Sequence, residues 1–153
     1  MRLDEERALA QIDDLHDPDQ LRTMIENATG KSDCVVQAAF RRLVARSAAH
    51  AQGSVEHDCW SMIHTIEELR RAQGRSWRMN RLRQKVAVDG EVEALRYCAS
   101  KRTDGFQEVL DLGLPELTAE AIVLRHPQVF GEPTRATAER RLKEAGVYSS
   151  PTE

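Results

Sequence analysis

Apolar residues recur along this chain at steps of three and four, and no alternating polar–apolar run bounded by a hairpin turn stands out. That spacing predicts helices rather than strands. Leu9, Ile12 and Leu15 form the stripe of a first helix. Asp17-Pro18-Asp19-Gln20 restarts the chain, with Asp17 able to cap, Pro18 suited to the first helical position and Gln20 placed to reach back. Leu21, Met24, Ile25 and Ala28 continue that second helix, and Gly30 ends it.

Ser32 or Asp33 caps the third helix, which carries Val35, Val36, Ala39, Phe40, Leu43 and Val44 toward Ala51. After Gly53-Ser54, a long helix carries Val55, Cys59, Met62, Ile63, Ile66 and Leu69 and ends near Gly74. Trp77 then introduces a helix whose apolar side is Met79, Leu82 and Val86, closed by Asp89-Gly90. Val92, Leu95 and Cys98 mark the next. Asp104 caps one with Phe106, Val109 and Leu110, stopped by Gly113. Pro115 opens one with Leu117, Ala121, Ile122 and Leu124, stopped by His126-Pro127. Pro133 opens the last, with Ala138, Leu142 and Ala145, and Gly146 ends it.

The expected fold is therefore all-α, a compact multi-helix bundle or irregular helical array of about eight to nine helices. Residues 1–147 read as one domain and 148–153 as a frayed tail. A length of 153 residues suits one core of that kind. With only 5% aromatic residues, that core must be packed through Leu, Ala, Val and Ile. The N-terminal MRLDEERALA lacks the apolar stretch of an export signal, and no apolar run approaches the roughly 20 residues of a membrane span. A soluble, cytoplasmic protein is the expectation. Cys34, Cys59 and Cys98 are widely spaced, odd in number and flanked by apolar residues, which points to reduced, buried thiols.

Charge changes the picture more than composition does. Residues 1–30 hold three bases against eight acids, a net of −5. Residues 31–88 hold eleven bases against five acids, a net of +6, and residues 89–153 hold eight against twelve, a net of −4. The basic middle is concentrated between Arg70 and Lys85, where Arg70, Arg71, Arg75, Arg78, Arg81, Arg83 and Lys85 occur with no acid among them. The whole chain has a formal charge of −3, so this island is a local feature.

Arg78, Arg81 and Lys85 fall at i, i+3 and i+7 and so share one helix face, with Met79, Leu82 and Val86 one residue along on the buried side. Asn80 and Gln84 add amides suited to base edges or phosphates, and Trp77 adds a ring for stacking. The candidate polyanion-binding residues are thus Arg71, Arg75, Trp77, Arg78, Asn80, Arg81, Gln84 and Lys85. Such a cluster attracts nucleic acid, phosphate or an acidic protein. Phosphate contacts position a protein without reading sequence, so the pattern speaks to affinity. The opposing reading is that these cations are neutralised inside the fold, the acidic N-terminal segment being one source of carboxylates.

Other motifs speak more softly. His57, His64, Glu67 and Glu68 share one side of the long helix, where a bundle metal site would draw ligands. Carboxylate-bridged bundle sites use Glu-x-x-His on two helices, whereas here the order is His64-x-x-Glu67 and it occurs once. No HExxH, CxxC, GxSxG, P-loop or Rossmann glycine pattern is present, and neither a catalytic residue nor a cofactor is assigned. Gly113 to Ile122 resembles the second half of a helix-hairpin-helix, a non-specific DNA-binding element, through Gly113, Leu114, Thr118, Ala119, Ala121 and Ile122. Pro115 stands where that element has a glycine whose N–H faces a phosphate. Leu117–Arg125 followed by Pro133–Ala145 also has the outline of a helix-turn-helix, with Arg135, Arg140, Arg141 and Lys143 on the second helix.

These observations lead to a non-enzymatic binding module that engages nucleic acid or another polyanion through the Arg70–Lys85 helix. The alternative is a protein–protein adaptor or regulatory subunit, able to form a homo-oligomer, whose basic face meets an acidic partner. A metal-dependent enzyme built around His57 and His64 is the remote third.

Overall fold

The computed structural model describes residues 3–47, 49–101 and 103–147. The frayed tail expected at 148–153 lies outside them. Among the described residues the chain forms nine α-helices and no strand: α1 (Leu3–Ile12), α2 (Pro18–Ala28), α3 (Asp33–Ser47), α4 (Val55–Ala72), α5 (Asn80–Asp89), α6 (Glu91–Ser100), α7 (Asp104–Leu112), α8 (Ala119–Arg125) and α9 (Glu132–Glu144). A single 3₁₀ turn, Pro115–Leu117, precedes α8.

Local side-chain caps explain four of the nine starts. The Asp17 carboxylate accepts the Asp19 N–H, and Pro18 takes the first position of α2. Ser32 rather than Asp33 caps α3, accepting the Val35 N–H at 3.3 Å. Ser54 caps α4 through the His57 N–H, and Thr118 caps α8 through the Ala121 N–H. The expected helix from Pro115 is divided here: Pro115–Leu117 makes only a 3₁₀ turn, and the cap at Thr118 restarts the chain. α3 ends at Ser47, short of the Ala51 expected from its apolar pattern.

Helix α4 is the spine. It packs on α3, α6, α7 and α8, which is why it is buried on several sides. Cys59 and Ile63 are fully enclosed, and Thr65, equally buried, gives its hydroxyl proton to the Ser61 carbonyl at 2.7 Å. Around it, Leu21, Ile25, Ala39, Phe40 and Leu43 fill the α2–α3 side, while Leu95, Ile122, Val123 and Phe130 fill the α6–α8 side. Enclosing a side chain such as Phe40 or Ile63 contributes about 1.5–3 kcal/mol. Two glycines let elements approach closely. A Cβ at Gly105 would stand 2.7 Å from Ile66 Cδ1, so glycine seats α7 against α4. Gly113, at φ 86°, ends α7 in the left-handed region, where a side chain would also run into the Gln37 amide.

The thiols correct one expectation. Cys59 and Cys98 are buried, but Cys34 is exposed, because it lies in the first turn of α3 while the stripe facing the core runs through Val35, Val36 and Ala39. Among the described residues, no helix is long and apolar enough to cross a membrane.

Candidate functional site: the cleft beside α5

The site begins with a glutamate. Glu67 points from α4 into the protein and is 4% exposed. Its carboxylate accepts Arg83 Nε at 2.7 Å and Arg83 Nη2 at 2.6 Å, a bidentate pair, and takes the Met79 N–H at 3.0 Å. Burial pushes this carboxyl up. The Arg83 hydrogen bonds, the Met79 N–H and the positive charge nearby outweigh that, so it lies below its ordinary value. The same contact explains why α5 starts at Asn80 and not at Trp77. Met79 has no side chain to cap with, and a carboxylate from another helix supplies the missing acceptor.

The rest of the basic island follows suit. Arg70 donates to Glu108 at 2.8 and 3.2 Å, and Arg75 reaches the same carboxylate at 3.4 Å as well as Gln73 Oε1 at 2.8 Å. Arg71 lies 4.0 Å over the Trp77 ring, with its Nε 3.8 Å from Glu68. Lys85 pairs with Asp89 at 2.8 Å, one turn along α5. The island does not form a continuous free basic face, because four of its six arginines, Arg70, Arg71, Arg75 and Arg83, and its lysine, Lys85, all have carboxylate neighbours. These come from α4, α7 and α5 itself rather than from the acidic N-terminal segment. One face of the half-buried Trp77 ring is covered by Arg71.

Arg78 and Arg81 differ. Both are exposed, and neither has a carboxylate partner among the described residues. They stand with Asn80 and Lys85 on the same cleft, of about 700 Å³, between α4, α5, α6 and α7, although Arg78 precedes the helix instead of belonging to it. Gln84 does not line it. The cleft walls are largely apolar, with Met62, Ile66, Leu82, Phe106 and Val109 beside the charged Arg70 and Asp104, and the start of α8 contributes the buried Thr118 and Glu120.

Glu120 is the residue that sequence reasoning did not single out as a site. It is 1% exposed. Arg141 Nη1 lies 2.9 Å from Glu120 Oε2, yet no hydrogen bond is formed, because that nitrogen is directed at the carbonyls of Lys101, Ala99 and Cys98 at 2.7, 2.9 and 3.3 Å. Contact distance without alignment leaves an ion pair and an oxygen with no donor. Burial pushes the Glu120 carboxyl up to about 7, against the smaller opposing pull of its own N–H and of Arg141. The one clue along the chain was an acid set in the otherwise apolar run Ala119–Leu124.

The remaining candidates resolve differently. His57 is buried with Nδ1 3.3 Å from the His50 carbonyl oxygen. His64 lies against Trp60 at 5.7 Å between ring centroids, its Nδ1 has no partner, and burial lowers its pKa. Glu67 and Glu68 are held by Arg83 and Arg22. Among the described residues no three His, Cys, Asp or Glu side chains converge as metal ligands. In the segment resembling a helix-hairpin-helix, the Gly113 and Leu114 N–H groups are donated to Leu110 and Val109 at 2.9 and 3.3 Å, so the turn offers neither to a phosphate. Arg141, placed on the reading helix of the helix-turn-helix outline, points inward to Glu120 and the end of α6. Burial lifts Cys59 to about 12 and Cys98 to about 11, which keeps both as thiols.

Comparison of the chain with protein-family models, with curated proteins and with solved structures returned no match. The functional reading rests on the geometry above.

Proposed function

We propose that this chain is a non-enzymatic binding module that takes an anionic ligand at the mouth of the α5 cleft, through Arg78 and Arg81. The observation that carries this is the pairing pattern: in the island from Arg70 to Lys85, these two guanidiniums alone lack a carboxylate neighbour among the described residues, and both line the cleft. An unpaired guanidinium is a ready donor for carboxylate or phosphate. The polyanion reading narrows accordingly. Two free cations neutralise about two phosphates, which supports only a shallow salt dependence, with a slope near 0.9 per phosphate. The cleft volume of about 700 Å³ instead falls within the range of small-molecule sites, and its apolar walls suit the body of an amphiphile.

The test is calorimetric titration of the full chain with dodecanoate and, separately, with a short single-stranded DNA, each at low and moderate salt. Saturable dodecanoate binding, weakened about tenfold or more by the Arg78→Glu/Arg81→Glu double variant, is the expected result. No dodecanoate binding, or binding indifferent to the double reversal, would sink the proposal. DNA bound more tightly than dodecanoate, and steeply salt-dependent, would return the site to a nucleic-acid interface.

A further inference from the structure

Arg141 Nη1 carries two hydrogens and faces four oxygens: the Lys101, Ala99 and Cys98 carbonyls at 2.7, 2.9 and 3.3 Å, and Glu120 Oε2 at 2.9 Å. Two hydrogens cannot serve four acceptors. Here the carbonyls hold them, and Oε2 is left without a donor. The last carbonyls of a helix have no partner within it, so Arg141 acts as the cap that closes α6. An ionised carboxylate draws a guanidinium hydrogen more strongly than a carbonyl does, whereas a protonated carboxyl has no such pull. The proton on Glu120 therefore decides how the two hydrogens are divided.

Arg141 also supports the cleft from outside it. Its guanidinium lies 5.1 Å from the centre of the Phe106 ring, and the Lys101 carbonyl that it holds opens the connection from α6 to α7. Thr103, Asp104, Gly105 and Phe106, beyond that connection, form one wall of the cleft.

We propose that Glu120 and Arg141 form a proton-operated switch on this wall. With Glu120 protonated, Arg141 caps α6 and holds the connection. When the carboxyl ionises, the guanidinium turns to Oε2, frees the carbonyls and loosens the wall. The consequence for ligand binding rests on the anionic-ligand reading of the cleft, whereas the switch itself does not. Burial lifts the Glu120 carboxyl to about 7, which sets the change near neutral pH. Helix α8 packs against α9, α6, α4 and the 3₁₀ turn. The groups facing Glu120 from α9 and α6 are Arg141 and the Cys98 thiol, itself raised to about 11 by burial and then by the Glu120 charge. Asp58 of α4 is held at the far end of α8 by Arg125 and His126, and Glu116 of the 3₁₀ turn faces Arg41. Arg70 of α4 and Asp104 of α7 line the cleft with Glu120.

Amide hydrogen exchange of the full chain, taken relative to the intrinsic rate at each pH, tests the switch from about pH 5.5 to about pH 8.5. The reporters are the Lys101 N–H, bonded to the Tyr97 carbonyl at 3.1 Å, and the Phe106 N–H, bonded to the Thr103 carbonyl at 3.3 Å. Their protection should fall about tenfold across that range, with the same midpoint as the Glu120 carboxyl carbon followed by NMR. In Glu120→Gln it should stay constant. Constant protection in the native chain overturns the proposal, and so does a midpoint that differs from that of Glu120. Both comparisons stand even if Glu120→Gln does not fold. The same loss in a folded Glu120→Gln, where the histidines still titrate, overturns it too. In calorimetry, decanesulfonate, which is ionised at every pH used, should bind about tenfold more weakly at the alkaline end. An affinity that does not change with pH overturns the control of the cleft. No binding at either end removes the anionic-ligand reading, and the exchange data then judge the switch alone.

Discussion

Glu67 and Glu120 are both glutamates enclosed beside an arginine, and they hold their protons in opposite ways. Glu67 receives three hydrogen bonds, two from Arg83 and one from the Met79 N–H, and its carboxyl sits below the ordinary range. Glu120 has Arg141 at 2.9 Å but receives no hydrogen bond from it, and its carboxyl rises to about 7. Proximity of a cation is common to both. Alignment separates them, because only aligned donors replace the hydration that burial removes. One site is therefore a structural clamp that starts a helix, and the other is a buried acceptor without an aligned donor.

The largest effect expected from this contrast is at the clamp. Arg83→Met leaves the Glu67 charge buried and unpaired and should lower stability by about 3–5 kcal/mol in urea unfolding. A loss below about 1 kcal/mol would break the comparison, since Glu67 would then not depend on its pair.

The pH dependence of Glu120 comes next. A carboxyl raised from 4.5 to about 7 binds its proton more tightly folded than unfolded, so its contribution to stability is intact below pH 4.5 and declines as the pH rises toward 7. Glu120→Gln mimics the protonated form. It should match the native chain near pH 4.5 and exceed it by of order 3 kcal/mol at pH 8, read from unfolding midpoints across that range. A variant that is less stable at pH 8 would show that Arg141 satisfies the carboxylate after all.

Glu67 should give the opposite sign with a smaller effect. Because its folded pKa is depressed, its contribution is present above the ordinary carboxylate range and is lost as the pH falls through the folded value. Glu67→Gln should therefore be about 1–3 kcal/mol less stable than the native chain at pH 7. Thermal melts at neutral and acid pH should show the two converging under acid conditions. A gap that held constant with pH would place the loss in packing rather than charge. Smallest of all is the effect at the cleft mouth. Arg78→Glu/Arg81→Glu should leave the unfolding midpoint where it is while removing anion binding, because neither side chain has a carboxylate partner to lose among the described residues. A large shift in the midpoint would mean that the two arginines are structural.

The helices were largely legible along the chain, and the reasons are visible residue by residue. Asp17 and Ser54 cap within three residues of themselves, and the stripes Leu21-Ile25 and Cys59-Ile63-Ile66 repeat within one helix. The misplaced boundary at α5 is instructive, because its first free N–H is taken by Glu67, twelve residues earlier and on another helix. Cys34 was misplaced for a related reason: apolar neighbours in sequence say little about a residue in the first turn of a helix. The candidate site was legible only as a concentration of charge. Arg78, Asn80, Arg81 and Lys85 do share one cleft, whereas Arg70 and Arg75 turn to Glu108 and Arg83 turns to Glu67.

Local spacing alone determines that this chain is helical, roughly where each helix runs, and that seven cations stand together between Arg70 and Lys85, since all of these depend on residues within a turn or two of one another. Arg71–Glu68 and Lys85–Asp89 pair within a turn of one helix, but only the tertiary packing brought Glu108 to Arg70 and Arg75 and Glu67 to Arg83. Charge neutralisation acts through space, and the partners are 38 residues apart for Arg70 and Glu108 and 16 for Arg83 and Glu67. The same holds for Glu120. Its acidity is set by being walled in beside Arg141, with that guanidinium drawn to the end of α6, and no pattern along the chain encodes where an arginine's hydrogens will point.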